Sequence, residues 1–241
     1  MIQTTTTGAD TSRISWWDKN GLQTTRANNV QRLKDATPSK RAREAPKYKG
    51  QLSFQGRYWF EALGKLVWHE SMAEYSWLMM LDHERPVRAV REQPFIITFA
   101  DGTTHIPDYL ATADHGERSL HDIHPEGLMT ARDVRVFAAT QRMCDVLGWG
   151  YEVRDQMPDI TFWNLEMLAR YRHPMFAPTS SVKQRILRTA TRTPLFGDLR
   201  LALATDKPGE LLPALTHLMW RRELHIDLER PFTDHSLVTV A

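Results

Sequence analysis

The chain has 241 residues, of which 41% are hydrophobic and 25% charged, and this balance is typical of a globular protein with one large domain or two small ones. Its formal net charge of +2 means that charge alone does not indicate a nucleic-acid partner. The single cysteine, Cys144, excludes a disulfide framework and a thiolate zinc site. No apolar run approaches the length of a membrane span, and residues 1–10 are polar and threonine-rich, so we expect a cytoplasmic protein without membrane association.

Residues 1–46 are predicted to form an N-terminal arm that is partly mobile. Aromatic residues at 16 and 17 are followed by Asn20-Gly21, a pair that favours a tight turn, so the pattern predicts a small hairpin. The stretch 36–46 is rich in proline and charge, which indicates a mobile segment.

Basic residues are concentrated in two places. The first cluster contains Lys34, Lys40, Arg41, Arg43, Lys47 and Lys49, and the second contains Lys183, Arg185, Arg188 and Arg192. Either cluster could follow a phosphate backbone, and either could equally be a group of solvated surface charges.

A compact α/β domain is predicted over residues 47–178. Glu70, Glu74 and Trp77 follow one another at steps of four and three, which predicts a helix over 67–81 with these side chains on one face. Strands are then predicted over 94–99, 104–111 and 119–124.

The second half of this domain begins with a long predicted helix over 130–147, ended by a glycine at 148. Its expected buried side consists of Val134, Phe137, Ala138 and Val146. A strand over 149–153 and a helix over 164–171 complete an α/β order of elements.

Residues 179–241 are predicted to form a small C-terminal domain. Helices are expected over 194–205 and 209–222, followed by two short strands around Pro231. Helices followed by a two-stranded wing are typical of winged-helix-like domains.

Three acidic residues carry the chemistry that this sequence suggests. Asp108 and Asp122 lie near the ends of short predicted strands, and Glu70 comes from the preceding helical stretch. Carboxylates that converge in this way hold divalent metals, which activate water and stabilise charge in phosphodiester hydrolysis. Because strand side chains alternate, Asp122 and His124 should share a face, and the backbone carbonyl of Ile123 is a candidate additional ligand.

A group of histidines leaves a second metal open. His69, His105, His115, His121 and His124 fall within one stretch, which is compatible with zinc or manganese. Their spacing does not include an HExxH pattern, so magnesium held by carboxylates is the preferred hypothesis.

The motifs resemble those of the PD-(D/E)xK nuclease superfamily, and more narrowly those of TnsA-like endonuclease subunits of heteromeric transposases. The resemblance covers roughly residues 48–176 and its motifs lie in the segments 48–51, 67–71, 81–82, 90–94, 105–109, 122–125, 137–140, 148–149 and 171–174. The C-terminal segments 217–220 and 227–231 are similar to the winged-helix region of the same family.

The resemblance implies a restriction-endonuclease-like core with a C-terminal winged-helix-like domain. It implies that the protein hydrolyses phosphodiester bonds at transposon ends in double-stranded DNA with Mg²⁺ or Mn²⁺. Its implied partners are a DDE-type transposase and an AAA-type ATPase regulator. It also implies that Glu70, Asp108 and Asp122 occupy the family's acidic positions and that His124 stands at its lysine position.

Two other interpretations remain open. A histidine titrates near neutrality and could serve as base, cation or metal ligand, whereas the family's lysine is a permanent cation. The chain could therefore be a catalytically inactive nuclease fold that bridges transposase, ATPase regulator and DNA. It could also be a stand-alone nuclease of the restriction or repair type.

Overall fold

A computed structural model describes residues 12–43, 54–84, 86–207 and 209–241. Helices and several sheets are mixed along the chain, which confirms the α/β class expected from the sequence. The chain divides into two compact units: Met1–Trp77 with Pro86–Gln156, and Leu78–Arg85 with Met157–Ala241. No helix in the described ranges is both long enough and apolar enough to cross a membrane.

The first unit contains most of the strands. Its elements are β1 (Arg13–Asp18), β2 (Gly21–Arg26), α1 (Val30–Lys34), β3 (Gly56–Phe60), β4 (Lys65–His69), the first part of α2 (Met72–Glu84), β5 (Val87–Glu92), β6 (Ile96–Thr98), β7 (Thr104–His105), β8 (Tyr109–Ala113), β9 (Arg118–Ile123), α3 (Ala131–Leu147) and β10 (Gly150–Arg154). They form two four-stranded sheets and a separate β3-β4 hairpin.

One sheet has the order β2-β1-β6-β7 and is antiparallel throughout. Its β1-β2 hairpin turns at residues 19–20, with Asp18 opposite Gly21, which confirms the predicted hairpin. Gly21 has φ of +106°, a conformation that favours glycine over any residue with a side chain.

The N-terminal hairpin contributes to the core of the first unit. Ile14 and Trp16 alternate inward along β1 and belong to the same buried cluster as Phe95, Leu120 and Leu147. Residues 12–43 therefore pack as part of this unit, whereas the sequence analysis assigned them to a separate arm. The predicted segment 48–51, together with Lys47 and Lys49, lies outside the described residues.

The second sheet has the order β10-β9-β8-β5. β5 and β8 are antiparallel, β8 and β9 are antiparallel, and β9 runs parallel to β10. α3 makes the crossover between the two parallel strands. No strand is predicted from the sequence at β5, because a register shift between Val87 and Ala89 interrupts its alternation of buried and exposed residues.

The predicted continuous strand over 104–111 is wrong, because the chain changes sheets within it. β7 pairs with β6 in the first sheet, and β8 pairs with β5 and β9 in the second. The change falls at Ile106, Pro107 and Asp108, where the proline has no N–H to donate to a ladder. Asp108 consequently lies at the point where the chain enters β8.

The predicted helix over 67–81 is also wrong in its first part. Val67 and His69 are buried alternately in β4, which pairs with β3. α2 begins only at Met72, after Ser71, whose Oγ accepts a hydrogen bond from the Glu74 N–H at 3.1 Å. Glu70 therefore lies at the junction of a strand and a helix rather than on a helix face.

The predicted helix over 130–147 is confirmed as α3. Thr130 and Asp133 form a reciprocal capping box at its start, and Gly148 ends it in the left-handed conformation. Its predicted buried side is wrong, since Val134 and Val146 are 52% and 41% exposed. The buried side contains Thr140, Met143, Cys144 and Leu147, and it includes one polar residue, Thr140, that a purely apolar pattern leaves out.

The second unit consists of helices followed by a short hairpin. Its elements, besides the end of α2, are α4 (Asp159–Ala169), α5 (Ser180–Arg192), α6 (Phe196–Ala202), α7 (Leu212–Trp220), β11 (Leu224–His225) and β12 (Thr239–Val240). β11 and β12 pair as antiparallel strands and confirm the two predicted C-terminal strands around Pro231, although each is only two residues long. The unit begins at Met157, so it includes residues that the sequence analysis placed in the 47–178 domain.

Truncation of a side chain in β1 should test whether the N-terminal hairpin stabilises the first unit. Ile14 is fully buried, so Ile14→Ala should lower the free energy of unfolding by about 2–5 kcal/mol through lost burial and a residual cavity. The measurement is urea denaturation followed by tryptophan fluorescence. Leu22→Ala is the matched control, because Leu22 lies on the same hairpin but is 52% exposed. Equal, small effects of the two substitutions would contradict a structural role for β1.

Candidate functional site

The ends of β8 and β9 bring Asp108 and Asp122 together. Tyr109 lies opposite His121 in the antiparallel ladder, so the two aspartates come next at the same end of the two strands. The Asp108 Oδ2 atom accepts a hydrogen bond from the Ile123 N–H at 2.8 Å. The structure thus places two of the predicted site residues beside each other.

Asp122 is buried and held by two side-chain donors. Its Oδ2 atom lies 2.9 Å from His105 Nε2 and 2.5 Å from the Tyr151 hydroxyl, which donates to it. Burial raises the pKa of Tyr151, and the neighbouring Asp122 carboxylate raises it further, so the hydroxyl keeps its proton. His105 and Tyr151 therefore fix the orientation of this carboxylate.

Glu70 is held from two sides. Arg43 Nη2 lies 2.9 Å from its Oε2 atom, and Gln93 Nε2 donates to its Oε1 atom at 2.8 Å. Gln93 also connects the site to its surroundings, since its N–H donates to the Asp108 carbonyl at 2.7 Å and its carbonyl accepts from the Ala42 N–H at 2.8 Å. Gln93 has φ of +42°, and strained backbone of this kind is common at functional sites.

Glu74 is an additional acidic residue of the site. Its Oε2 atom accepts hydrogen bonds from the Tyr109 hydroxyl at 3.0 Å and from the Glu70 N–H at 2.8 Å. Burial raises the pKa of Glu74. The role of Glu74 was not predicted, although the pattern Ser71-x-x-Glu74 is a capping signal that indicates the helix start and the hydrogen bonds between these two residues.

We call Glu70, Glu74, Asp108 and Asp122 the acid cluster. Burial raises the pKa of Asp108 well above its ordinary value, and repulsion from Asp122 and Glu74 raises it further, while the hydrogen bond from the Ile123 N–H opposes the shift. Among the described residues, no cation forms an ion pair with Asp108, whereas Arg43 pairs with Glu70 and His105 contacts Asp122. Among the described residues, the cluster therefore contains more carboxylates than cations, and the ionised form is most strongly disfavoured at Asp108.

His124 is directed toward α3. Its Nε2 atom lies 3.8 Å from Asp133 Oδ2, and its ring packs edge-on against Phe137 with 5.5 Å between centroids. His105 packs on the same phenylalanine at 5.8 Å, which places the histidine partner of Asp122 and His124 on one side of the sheet. Within the described ranges, no hydrogen bond or ion pair joins His124 to the acid cluster.

The remaining histidines of the sequence cluster do not converge. His121 packs against Trp77 with 4.6 Å between ring centroids, and His69 Nδ1 lies 3.1 Å from the Ser71 carbonyl. Over the part of the chain that the structure describes, no group of three or more His, Cys, Asp or Glu side chains is arranged to hold a metal ion. Each of these two rings contacts its own local partner.

The donor set nevertheless fits a hard cation held by few protein ligands. Mg²⁺ keeps several waters and is commonly bound through one or two carboxylates. Asp108 and Asp122 supply such a pair, and the raised pKa of Asp108 shows that added positive charge beside it would be stabilising. Both carboxylate oxygens of Glu70 already have partners, so Glu70 fits a role through a metal-bound water better than a direct bond.

Comparison with known proteins gives no family for this chain. No protein-family model matches it, and a search of curated proteins finds no significant match. The interpretation of the acid cluster therefore depends on its own geometry and charge.

The charge on Asp108 should be measurable as a pH-dependent effect on stability. Because the folded state raises the pKa of Asp108, its ionised form destabilises the fold at neutral pH, and this cost disappears as the pH falls and the carboxyl takes up a proton. Asp108→Asn keeps an acceptor for the Ile123 N–H and removes the charge. We expect it to raise the metal-free Tm by about 2 °C or more at pH 7. The gain should shrink toward pH 4 in thermal melts.

Asp101→Asn provides the control of opposite sign. Hydrogen bonds from Thr103 lower the pKa of the exposed Asp101 carboxyl, so its loss should slightly destabilise the protein at neutral pH. A neutral-pH Tm of Asp108→Asn equal to or below that of the wild type would show that Asp108 is not a destabilising charge.

Proposed function

We propose that this chain is a metal-dependent DNA endonuclease subunit of a heteromeric transposase, similar to TnsA, that hydrolyses phosphodiester bonds at transposon ends. The observation that carries the proposal is the pair Asp108 and Asp122 at adjoining strand ends, with excess negative charge around it. A carboxylate pair of this kind is suited to a divalent metal and to phosphoryl chemistry.

The topology around the pair supports the same proposal. α2, the strands β5, β8 and β9, the helix α3 and the parallel strand β10 follow the order expected for a restriction-endonuclease-like PD-(D/E)xK core. In the second unit, α5, α6 and α7 with the β11-β12 hairpin are compatible with a winged-helix-like domain. We propose double-stranded DNA, a DDE-type transposase and an AAA-type ATPase regulator as partners.

Asp108 and Asp122 would hold Mg²⁺ or Mn²⁺, with the Ile123 carbonyl as a further ligand and Glu70 acting on a metal-bound water. When bound there, the ion supplies an activated water near neutral pH and stabilises charge on the phosphorus. His105 and Tyr151 both contact Oδ2 of Asp122 and keep this carboxylate in one orientation. This preorganisation reduces the reorganisation that the reaction requires.

The permanent cation of the site would come from Arg43. By the resemblance, His124 stands at the family's lysine position, and its ring contacts Asp133 and Phe137. Arg43 contacts the acid cluster directly through Glu70, and a guanidinium remains charged at every physiological pH. Arg43 is thus placed to stabilise a phosphate oxyanion, while His124 would be a further catalytic residue.

A second candidate function is a catalytically inactive subunit that bridges transposase, ATPase regulator and DNA. The contact between His124 and Asp133 favours it, because this contact directs the histidine toward α3. Metal binding separates the two candidates. Absence of Mn²⁺ affinity in calorimetry, with intact complex formation, would favour the bridging role.

Removal of either aspartate should abolish cleavage. The purified chain, combined with its transposase partner and Mg²⁺ or Mn²⁺, should nick DNA carrying the transposon ends. Asp108→Ala or Asp122→Ala should each lower the nicking rate at least ~100-fold, since metal-assisted charge stabilisation amounts to several kcal/mol and ~1.4 kcal/mol corresponds to a factor of ten. Gel analysis of end-labelled DNA measures the rate.

Asp101→Ala is the matched control for these substitutions. Asp101 is an exposed turn carboxylate outside the acid cluster, so its loss should leave the nicking rate near that of the wild type. Cleavage that survives the double substitution Asp108→Ala and Asp122→Ala would rule out the proposed active site.

A substitution at the lysine position should reveal whether His124 takes part. Histidine side chains titrate near neutrality, whereas a lysine there would stay charged. Between pH 6 and 9, the pH profile of the wild-type nicking rate should contain a sloping part where the rate changes about tenfold per pH unit. The profile of His124→Lys should lack this sloping part. Arg43→Ala should lower the nicking rate without changing the pH range over which the rate changes. Superimposable pH profiles for the wild type and His124→Lys would exclude His124 from the reaction.

A further inference from the structure

The helix α5 presents arginines along one exposed side. Ile186 and Ala190 are its buried residues, and Arg185, Arg188 and Arg192 are all exposed. Steps of three and four residues place these three side chains on one helix face. At about 1.5 Å of rise per residue, the row extends over roughly 10 Å. We call it the α5 arginine stripe.

The positive charge of the stripe is not neutralised within the second unit. α5 itself contains no Asp or Glu, and in the described part of the chain no ion pair involves any of the three arginines. Lys183, on the same helix, already forms an ion pair with Glu223. Of the elements that pack against α5, β12 carries no charge, and α6 carries Asp198 together with Arg200. The stripe is thus a net positive surface.

The surroundings of the stripe are polar. Ser181, Gln184 and Thr189 lie between or beside the arginines, and no large hydrophobic side chain of α5 is exposed. A protein interface of ordinary affinity needs buried aromatic or aliphatic anchors, and insertion into a membrane surface needs an apolar face. Hydroxyl, amide and guanidinium groups together are the donors that proteins use for phosphate oxygens.

We infer that the α5 arginine stripe binds the phosphate backbone of duplex DNA. Guanidinium groups bind phosphates through paired hydrogen bonds, and a row of them that forms no ion pair among the described residues matches a regularly charged polyanion. The inference rests on the proposed function only in naming DNA as the polymer. It uses no residue of the acid cluster, so it would also hold for an inactive bridging subunit.

Salt dependence of binding tests the stripe directly. The wild-type chain and the triple substitution Arg185→Gln, Arg188→Gln and Arg192→Gln are titrated with a labelled duplex in metal-free buffer, where cleavage does not interfere. Fluorescence anisotropy at several salt concentrations between about 50 and 200 mM gives the slope of log K against log salt. Each lost phosphate contact should reduce its magnitude by ~0.9, so the triple variant should be flatter by about 2 to 3. Glutamine retains helix propensity, which keeps α5 intact.

The matched control removes three arginines of the same unit that are paired with carboxylates. Arg170 contacts Glu166 at 3.0 Å, and Arg200 and Arg230 lie 3.3 Å from Asp234 and Asp227. Their replacement by glutamine makes the same change in net charge. We expect the slope of log K against log salt for this control to differ from the wild-type slope by no more than ~0.9, the value of one phosphate contact.

Several results would overturn the inference. One is a wild-type chain that does not bind duplex DNA at about 50 mM salt. The others are a triple variant with the wild-type slope of log K against log salt, and a control variant whose slope falls as much as that of the triple variant. Retained DNA binding with lost association to the ATPase regulator would assign the stripe to an acidic protein surface instead. Failure of the endonuclease proposal is read separately, from nicking assays on the same proteins, and leaves the slope measurement interpretable.

Discussion

The hydrogen bond from the Ile123 N–H to Asp108 is the interaction on which the acid cluster depends. It fixes one carboxylate at the end of β9, directly beside Asp122, and so holds two like charges together inside the protein. The register of β8 and β9 places the two aspartates side by side, and this donor partly offsets the burial and repulsion that oppose ionisation of Asp108. Neighbouring side chains hold the other carboxylates of the acid cluster in place. Arg43 and Gln93 stabilise Glu70, His105 and Tyr151 stabilise Asp122, and the Tyr109 hydroxyl stabilises Glu74. Among the described residues, neither Asp108 nor Glu74 forms an ion pair with a cation, and the pKa of Asp108 is raised well above its ordinary value.

The sequence predicts best what local chemistry decides. The β1-β2 hairpin follows from Asn20-Gly21, and the limits of α3 follow from Thr130, Asp133 and Gly148, because turns and caps are determined by neighbouring residues. The adjacency of Asp108 and Asp122 was also predicted, since both lie at strand ends of a hairpin. The position of Glu70 was not predicted correctly. Its spacing from Glu74 fits a helix, but the pairing of β4 with β3 makes the preceding residues a strand. The change of sheets at Pro107 and the contacts of Arg43 and His105 depend on residues far apart in the chain, and no short pattern encodes them.

The strand order also has a consequence for when the site can form. β1 pairs with β6, and the segment leading to Arg43 is anchored by Ser39 to Trp17 and by Ala42 to Gln93. During synthesis, β1 can pair with β6 only after β6 has left the ribosome. Contacts between residues so far apart in the sequence form slowly. Glu70 gains its guanidinium partner only when this long-range pairing is complete. The acid cluster would consequently be complete only late in folding, and a partly folded chain would lack the contact between Arg43 and Glu70.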